Sequence, residues 1–297
     1  MSEPRPSLFR AWLSAARPAT LLAGATPVFV GWGLAAAAGA FDLGPALAAL
    51  AGCVLIQIGT NLANDLFDHK KGADNADRVG PARATQKGWL SPRQVAIGTG
   101  VVLGSALAVG LYLSAHAGLP ILILGLVSIG LAIAYTGGPF PLAYHGLGDL
   151  FVLLFFGFAA VGGTYYVQAL ALSPQAVLAG APVGLLATAI LGVNNLRDRH
   201  TDAAANKRTL AVRFGEGPAR LEYTLCVVGA YAVPVFVVLS GYGGLGWLLP
   251  FLSLPIGVRQ IRRLQRLDGP ALNPQLGATA QLELVFGALL AIGVQLG

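Results

Sequence analysis

About nine stretches of roughly 17 to 25 mainly apolar residues, the length that crosses a hydrocarbon core as helix, divide this chain. They lie near 18–39, 45–64, 95–115, 118–135, 148–170, 176–195, 221–240, 243–259 and 278–296. Such a pattern makes the bilayer the solvent, because in lipid each segment must satisfy its own backbone polar groups. Composition agrees: 55% of the 297 residues are hydrophobic and 11% are charged, with mean hydropathy +0.69, outside the usage of soluble domains. The 40 glycines suit helices whose backbones approach closely where no hydrophobic drive separates helix from solvent. The expected fold is all-α and integral to the membrane, with nine transmembrane helices in a single domain over residues 1–297.

The 19 basic residues fix the orientation. They fall in four stretches: Arg5, Arg10 and Arg17; Lys70 to Arg93; Arg197 to Arg220; and Arg259 to Arg266, holding three, six, six and four. With nine crossings all four stretches lie on one side, and the positive-inside rule makes that side cytosolic. The N-terminus is then inside and the C-terminus outside; eight or ten crossings would split the basic loops. The net charge of +6 is therefore read as topogenic, and no nucleic-acid partner is expected. The opening segment, with Glu3 ahead of the first long apolar run, lacks the layout of a cleavable signal peptide, so the N-terminus is expected to be retained. Cys53 and Cys226 each sit in an apolar stretch, which points away from a disulfide framework or zinc site.

Two polar stripes interrupt this apolar background. At the end of the second run Gln57, Asn61, Asn64, Asp65 and Asp68 recur at spacings of three and four, and so share one helix face. On the sixth run Asn194, Asp198 and Asp202 recur at spacings of four. The strings Asn64-Asp65-Leu66-Phe67-Asp68 and Asn194-Asn195-Leu196-Arg197-Asp198 match in pattern four helices apart, which suggests a duplicated four-helix unit over about 18–135 and 148–259. Both stripes end at the cytosolic surface, where a helix C-terminus disfavours carboxylates by roughly 0.3–1 kcal/mol each. Like charges converging at a membrane edge need a cation. Hard oxygen donors without repeated Cys or His favour Mg²⁺, which uses a few carboxylates together with substrate phosphates. Beside the acids stand Lys70, Lys71, Arg78, Arg83, Lys207 and Arg208, cations suited to phosphate oxygens. The combination reads as a site for a metal diphosphate, although positive-inside bias explains basic loops equally well. Helix centres read as nearly free of charge, which argues against a transporter, whose path would place ionisable groups at mid-membrane.

The chain resembles the UbiA superfamily of intramembrane prenyltransferases, built on an NDxxD-type motif after the second helix and DxxxD after the sixth; here these are NDLFD at 64–68 and DRHTD at 198–202. RPATLLAGATPVFVGWGLA, IQIGTNLANDLFDHKKGADNADRVGPARATQKGWLSPRQV, AYTGGPFPLAYHGLGD and NNLRDRHTDAAANKRTLAVRFG are similar to the 1,4-dihydroxy-2-naphthoate polyprenyltransferase branch of menaquinone biosynthesis. The likeness spans most of residues 17–220. The sequence departs from the general NDxxDxxxD pattern, since Gly72 takes the third acidic position and the next acid is Asp74, the form typical of that branch.

The resemblance implies a helical bundle around a central cavity in a bacterial cytoplasmic membrane, with the isoprenoid tail in lipid and its diphosphate at the cytosolic rim. Asp65, Asp68, Asp198 and Asp202 would hold Mg²⁺, with Asn64 and Asn194 as further oxygen ligands. Asn61, Lys71, Arg78, Arg83, Lys207 and Arg208 would bind the diphosphate alongside those asparagines. Loss of diphosphate would leave an allylic carbocation that an aromatic acceptor attacks, in this branch with decarboxylation, in a cavity that excludes water. Tyr135 is the first candidate to stabilise that cation through its ring, ahead of Tyr144, Tyr165 and Tyr166. Within the family 4-hydroxybenzoate, homogentisate and haem remain alternative acceptors. His69, His116, His145 and His200 lack ligand spacing and are read as solvated or structural, and Gln57 as an interhelical hydrogen-bonding group.

Overall fold

The computed structural model describes residues 6–74 and 78–297; Arg5 of the first basic stretch lies outside them. Where the described residues form regular structure they are helical. An amphipathic α1 (Leu8–Ala16) leads into α2 (Pro18–Ala37) through Arg17, which takes a left-handed backbone with φ 53°. That turn lets Pro18 open the new helix, where its missing N–H costs nothing. Then follow α3 (Leu43–Lys70), α4 (Pro92–Ala117) and α5 (Leu119–Ala134). Next come α6 (Gly148–Val152), a π-helical stretch (Leu153–Ala159) and α7 (Ala160–Ala169), which together make one continuous segment. The chain continues through α8 (Pro174–Ala204), the short α9 (Leu210–Phe214) and α10 (Glu216–Leu239). It ends with a 3₁₀ stretch (Leu245–Ser253) running into α11 (Leu254–Leu264), and α12 (Asn273–Gly293).

Starts are fixed by local chemistry. Ser91 and Gln94 form a reciprocal capping box before Pro92, and the Ser173 hydroxyl caps α8 ahead of Pro174, each satisfying amides that have no intrahelical partner. Among the described residues seven segments are long and apolar enough to cross a membrane, and exposed side chains such as Leu111, Ile123, Leu225 and Phe236 face outward, as a lipid-facing surface requires. The chain is a multi-pass membrane protein. Of the two other expected runs, α5 has 16 residues and the eighth begins as 3₁₀ helix and carries arginines in its α-helical half; neither is among those seven.

Two expected boundaries are corrected. The second run was placed at 45–64 and the sixth at 176–195, yet α3 and α8 continue to Lys70 and Ala204. At 28 and 31 residues they measure about 42 and 46 Å at 1.5 Å per residue, against a hydrocarbon core of about 30 Å. The polar stripes do not end these helices because they are turned inward onto partners, so both motifs lie within helix.

The bundle closes through small residues. A Cβ on Gly33 of α2 would fall on the backbone of Ala291 in α12, and Gly157 in the π stretch packs against the backbone of Gly180 and Gly184 in α8. The main core joins α2, α7, α8, α10 and α12. A second core, with Leu62, Leu66, Leu90 and Val95, seats α1 and the 84–90 loop against α3.

Candidate active site

Between the helices lies a cavity of about 630 Å³. Its body is apolar, with Leu113, Ile121, Leu124, Phe151, Phe155 and Phe156. The π-helical stretch carries Phe155 and Phe156 on this wall; such bulges re-aim side chains that a regular α-helix would place elsewhere. Its polar end is lined by Arg17, Asn61, Asn64, Asp68, Arg78, Arg83, Asn194, Arg197, Lys207 and Tyr135.

Tyr144, on a short 3₁₀ turn (Leu142–His145), is where the two motifs meet. Its hydroxyl donates to Asp68 Oδ1 at 2.9 Å, and its carbonyl accepts from the Arg208 amide at 3.1 Å. Lys71 Nζ stands 4.5 Å from its ring centroid and Lys207 Nζ 5.9 Å. Lys207 also pairs with Asp202 Oδ1 at 3.3 Å. One aromatic ring is thus flanked by a lysine from each motif, each beside a motif carboxylate. Tyr144 is held above the usual phenol range, first by burial and then by nearby carboxylates; its hydroxyl therefore keeps the proton it donates. Burial lowers Lys71, with Asp68 opposing. For Lys207 burial also works against the charge, but Asp202, Asp68 and Asp198 outweigh it and raise the ammonium above its ordinary value.

Other expected residues have nearer partners. Asp65 is fully buried, and its carboxylate accepts from the Ala84 amide at 3.1 Å and the Thr85 amide at 3.3 Å; it fastens the 84–90 loop and, like Lys71, Tyr144, Asp198 and Asp202, is not among the cavity-lining residues. Asp74 gathers the two cavity arginines, bonding Arg78 and lying 3.2 Å from Arg83 Nε. Burial pushes its carboxyl up to about 6 despite Arg78. Asp198 is clasped by Arg197 at 2.8 and 2.6 Å. That guanidinium also reaches Asn273 at 3.0 Å and Asn194, tying α8 to α12. Asn64 accepts from the Thr136 hydroxyl at 2.8 Å, while Lys71 Nζ donates to the Thr136 carbonyl at 2.7 Å. The Asn61 side-chain amide donates to Ala16 O and Thr20 Oγ1, both at 2.9 Å, and its backbone carbonyl accepts from Arg17 at 3.3 Å. The Arg208 side chain is exposed and does not line the cavity.

Sequence reasoning missed Arg17, Thr136, Arg197 and the Asp149–Asn195 pair, all on the cavity wall. Asn195 Nδ2 lies 3.4 Å from Asp149 Oδ1. Arg17 is buried enough to fall to about 10, with Arg78 adding to the effect, and so remains a cation. Arg17 and Arg197 were legible as basic residues but credited to topology alone. The expectation of nearly uncharged helix centres also needs correction: Glu283 sits inside α12, fully buried, with neither carboxylate oxygen hydrogen-bonded.

Mg²⁺ fits this donor set. Among the described residues no three acidic, His or Cys side chains form a ready-made cage, which is unsurprising for an ion completed by substrate phosphates and water. The buried Asp202 Oδ2 has no hydrogen-bond partner, a costly state unless a cation or proton reaches it. Around it are hard oxygens and lysines.

Comparison with known proteins agrees with this architecture. The sequence profile of the UbiA prenyltransferase family matches residues 25–277. The chain is 39% identical to 1,4-dihydroxy-2-naphthoate octaprenyltransferase of Escherichia coli (strain K12), over 99% of this chain and 98% of that one. It is 34% identical to the Haemophilus influenzae protein of the same name, over 96% of each. The structure of a UbiA homolog from Archaeoglobus fulgidus bound to DMAPP and Mg²⁺ superposes with a TM-score of 0.66 at 15% identity, over 95% of this chain and 99% of that one; at that identity the likeness is one of fold. The chain belongs to the UbiA prenyltransferase family.

Proposed function

We propose that this protein transfers a polyprenyl group from its diphosphate to 1,4-dihydroxy-2-naphthoate with loss of CO₂, giving demethylmenaquinol. The observation that carries the reading is the meeting of two acidic motifs around Tyr144, at the polar end of an apolar cavity. The apolar body takes the isoprenoid tail, and the cationic end takes the diphosphate. The acceptor is inferred from full-length relatives that bear its name.

Asp68 and Asp202, with Asp198, Asn64 and Asn194 beside them, would hold Mg²⁺. When bound, that ion neutralises charge on the departing diphosphate. Lys71, Lys207, Arg17, Arg78 and Arg83 bind the diphosphate oxygens, and Asp74 keeps the two loop arginines aimed into the cavity. In the reaction the allylic C–O bond breaks and its electron pair leaves with diphosphate. A ring carbon of the acceptor supplies the pair for the new C–C bond, and the carboxylate departs as CO₂, returning its bonding pair to the ring. Tyr135, on the wall, offers its π face to the developing cation. The apolar lining keeps water from quenching it.

The wider frame is nine crossings with a cytosolic N-terminus in a bacterial cytoplasmic membrane. Basic residues confined to four stretches support it. The chain is read as a single domain, with α3 and α8 as corresponding members of a duplicated four-helix unit.

The test is an assay of purified protein with polyprenyl diphosphates and a panel of aromatic acceptors, with Mg²⁺ or EDTA. Expected is a prenylated, decarboxylated naphthoate product in Mg²⁺ only, with Asp68→Asn and Asp198→Asn nearly inactive but folded. Preferential turnover of 4-hydroxybenzoate would overturn the acceptor, and near-normal rates in both variants would overturn the site.

A further inference from the structure

Away from the cavity, α11 carries a cationic surface that the transfer reaction does not use. Its inner face, Gly257, Gln260 and Leu264, is buried; Gly257 lies under the Tyr231 ring, and the Gln260 carbonyl accepts from Gln275 at 3.1 Å. The outer face is a groove with two chemically distinct halves. Phe251, Leu254, Pro255 and Val258 line one half, and Arg259, Arg262, Arg263 and Arg266 line the other. The positions recur at three and four residues and so form one continuous stripe. From Leu254 to Arg263 the helix rises about 14 Å, close to the half-thickness of the hydrocarbon core, about 15 Å.

Among the described residues none of these four arginines is within ion-pair reach of a carboxylate. The nearest acid in sequence, Asp268, is taken by Arg199. Positive-inside bias accounts for cations on this side of the membrane. It does not account for three arginines on one helix face and a fourth just past its end, without a lysine, directly above an apolar groove.

We propose that this groove binds one anionic phospholipid, its phosphate held by Arg259, Arg262 and Arg263 and its acyl chains laid along Phe251, Leu254 and Val258. Guanidinium forks match phosphate oxygens, and basic pockets at the cytoplasmic ends of helices hold anionic head groups. The apolar half decides for a lipid over a free anion, because an inorganic phosphate has no use for it. The exposed Leu252 and Leu254 continue the groove into the lipid-facing surface, so a lipid enters sideways.

The test is lipid retention by the full-length protein in nanodiscs of mixed phosphatidylglycerol and phosphatidylcholine, read by native mass spectrometry after transfer to detergent. The wild type should keep one phosphatidylglycerol in preference to phosphatidylcholine. With about a fivefold contribution per arginine, Arg259→Gln/Arg262→Gln should weaken that preference roughly 25-fold. Lys87→Gln/Arg93→Gln removes equal charge from exposed sites elsewhere on the basic loops and should leave it intact. Val258→Asp, which spares every arginine, should also weaken retention. Equal loss in both double variants would reduce the effect to general surface charge and overturn the proposal. Displacement by millimolar inorganic phosphate would mark a free-anion site and overturn it too, as would unchanged retention in Val258→Asp.

Discussion

Replacing Asp65 and Asp68 separately by asparagine tests two carboxylates that lie three residues apart and have different partners. Asp65 accepts two buried backbone amides, at 3.1 Å from Ala84 and 3.3 Å from Thr85. Hydrogen bonds to a charged group contribute about 1.5–3 kcal/mol each. Asparagine keeps one neutral acceptor and turns an NH₂ toward an amide N–H, so Asp65→Asn should cost about 2–4 kcal/mol. At roughly 2–4 °C per kcal/mol for large domains, the unfolding temperature in detergent should fall by about 4–16 °C. Turnover should drop as the 84–90 loop loosens, but the Mg²⁺ concentration for half-maximal rate should stay within about twofold. Asp68, on the cavity wall beside Tyr144, predicts the reverse: Asp68→Asn should raise the Mg²⁺ requirement at least tenfold, about 1.4 kcal/mol, with little change in unfolding temperature. The assay is a Mg²⁺ titration of initial rate paired with thermal unfolding of the same samples. An Asp65→Asn protein that unfolds normally yet needs tenfold more Mg²⁺ would refute the anchor role.

Three further predictions follow from single contacts. Tyr144→Phe keeps the ring between Lys71 and Lys207 but removes the hydroxyl that bonds Asp68, so kcat should fall about tenfold, the value of one hydrogen bond to a charged group; an unchanged kcat would dismiss that bond. Gly33→Ala forces a methyl onto the Ala291 backbone, whereas Gly104, inside α4, has open space around it. The first change should destabilise by about 1–3 kcal/mol and Gly104→Ala should stabilise by up to about 1 kcal/mol, both read by thermal unfolding. The Arg199 hydrogen bond holds the Asp268 carboxyl down to about 2, below its unfolded value of about 4. Its stabilisation is therefore full above about pH 4 and lost as pH falls toward 2. Because the Asp268 side chain is 54% exposed, the contribution is at most about 1 kcal/mol; wild type and Asp268→Asn should differ slightly at pH 6 and converge near the acid limit.

Much of the architecture was legible because bilayer physics writes itself into sequence. Runs such as 18–39 and 221–240 are long, apolar and bounded by charge, and α2 and α10 occupy them. The candidate site was legible at the level of motifs: NDLFD and DRHTD stand on α3 and α8, with Asp68 and Asp202 each beside a lysine at Tyr144. Less legible were the ends of the motif helices and the division of labour inside each motif. Periodicity places Asp65 and Asp68 on one stripe, and only the course of the 78–90 loop turns Asp65 to backbone amides. Tyr144 ranked behind Tyr135 because nothing local marks it; its bond to Asp68 spans 76 residues, and the two lysines at its ring come from different segments. Arg17 and Arg197 were legible as charges, but their burial against the cavity was not. Glu283 was overlooked within an apolar run.

Sequence by itself determined the solvent, the helical class, the family motifs and the hard-oxygen chemistry of the site, since these depend on composition and on spacing along one helix. Tertiary structure alone decided which carboxylate meets which cation. Such pairing depends on how two long helices and three loops pack, and on burial that makes each unmet polar atom costly.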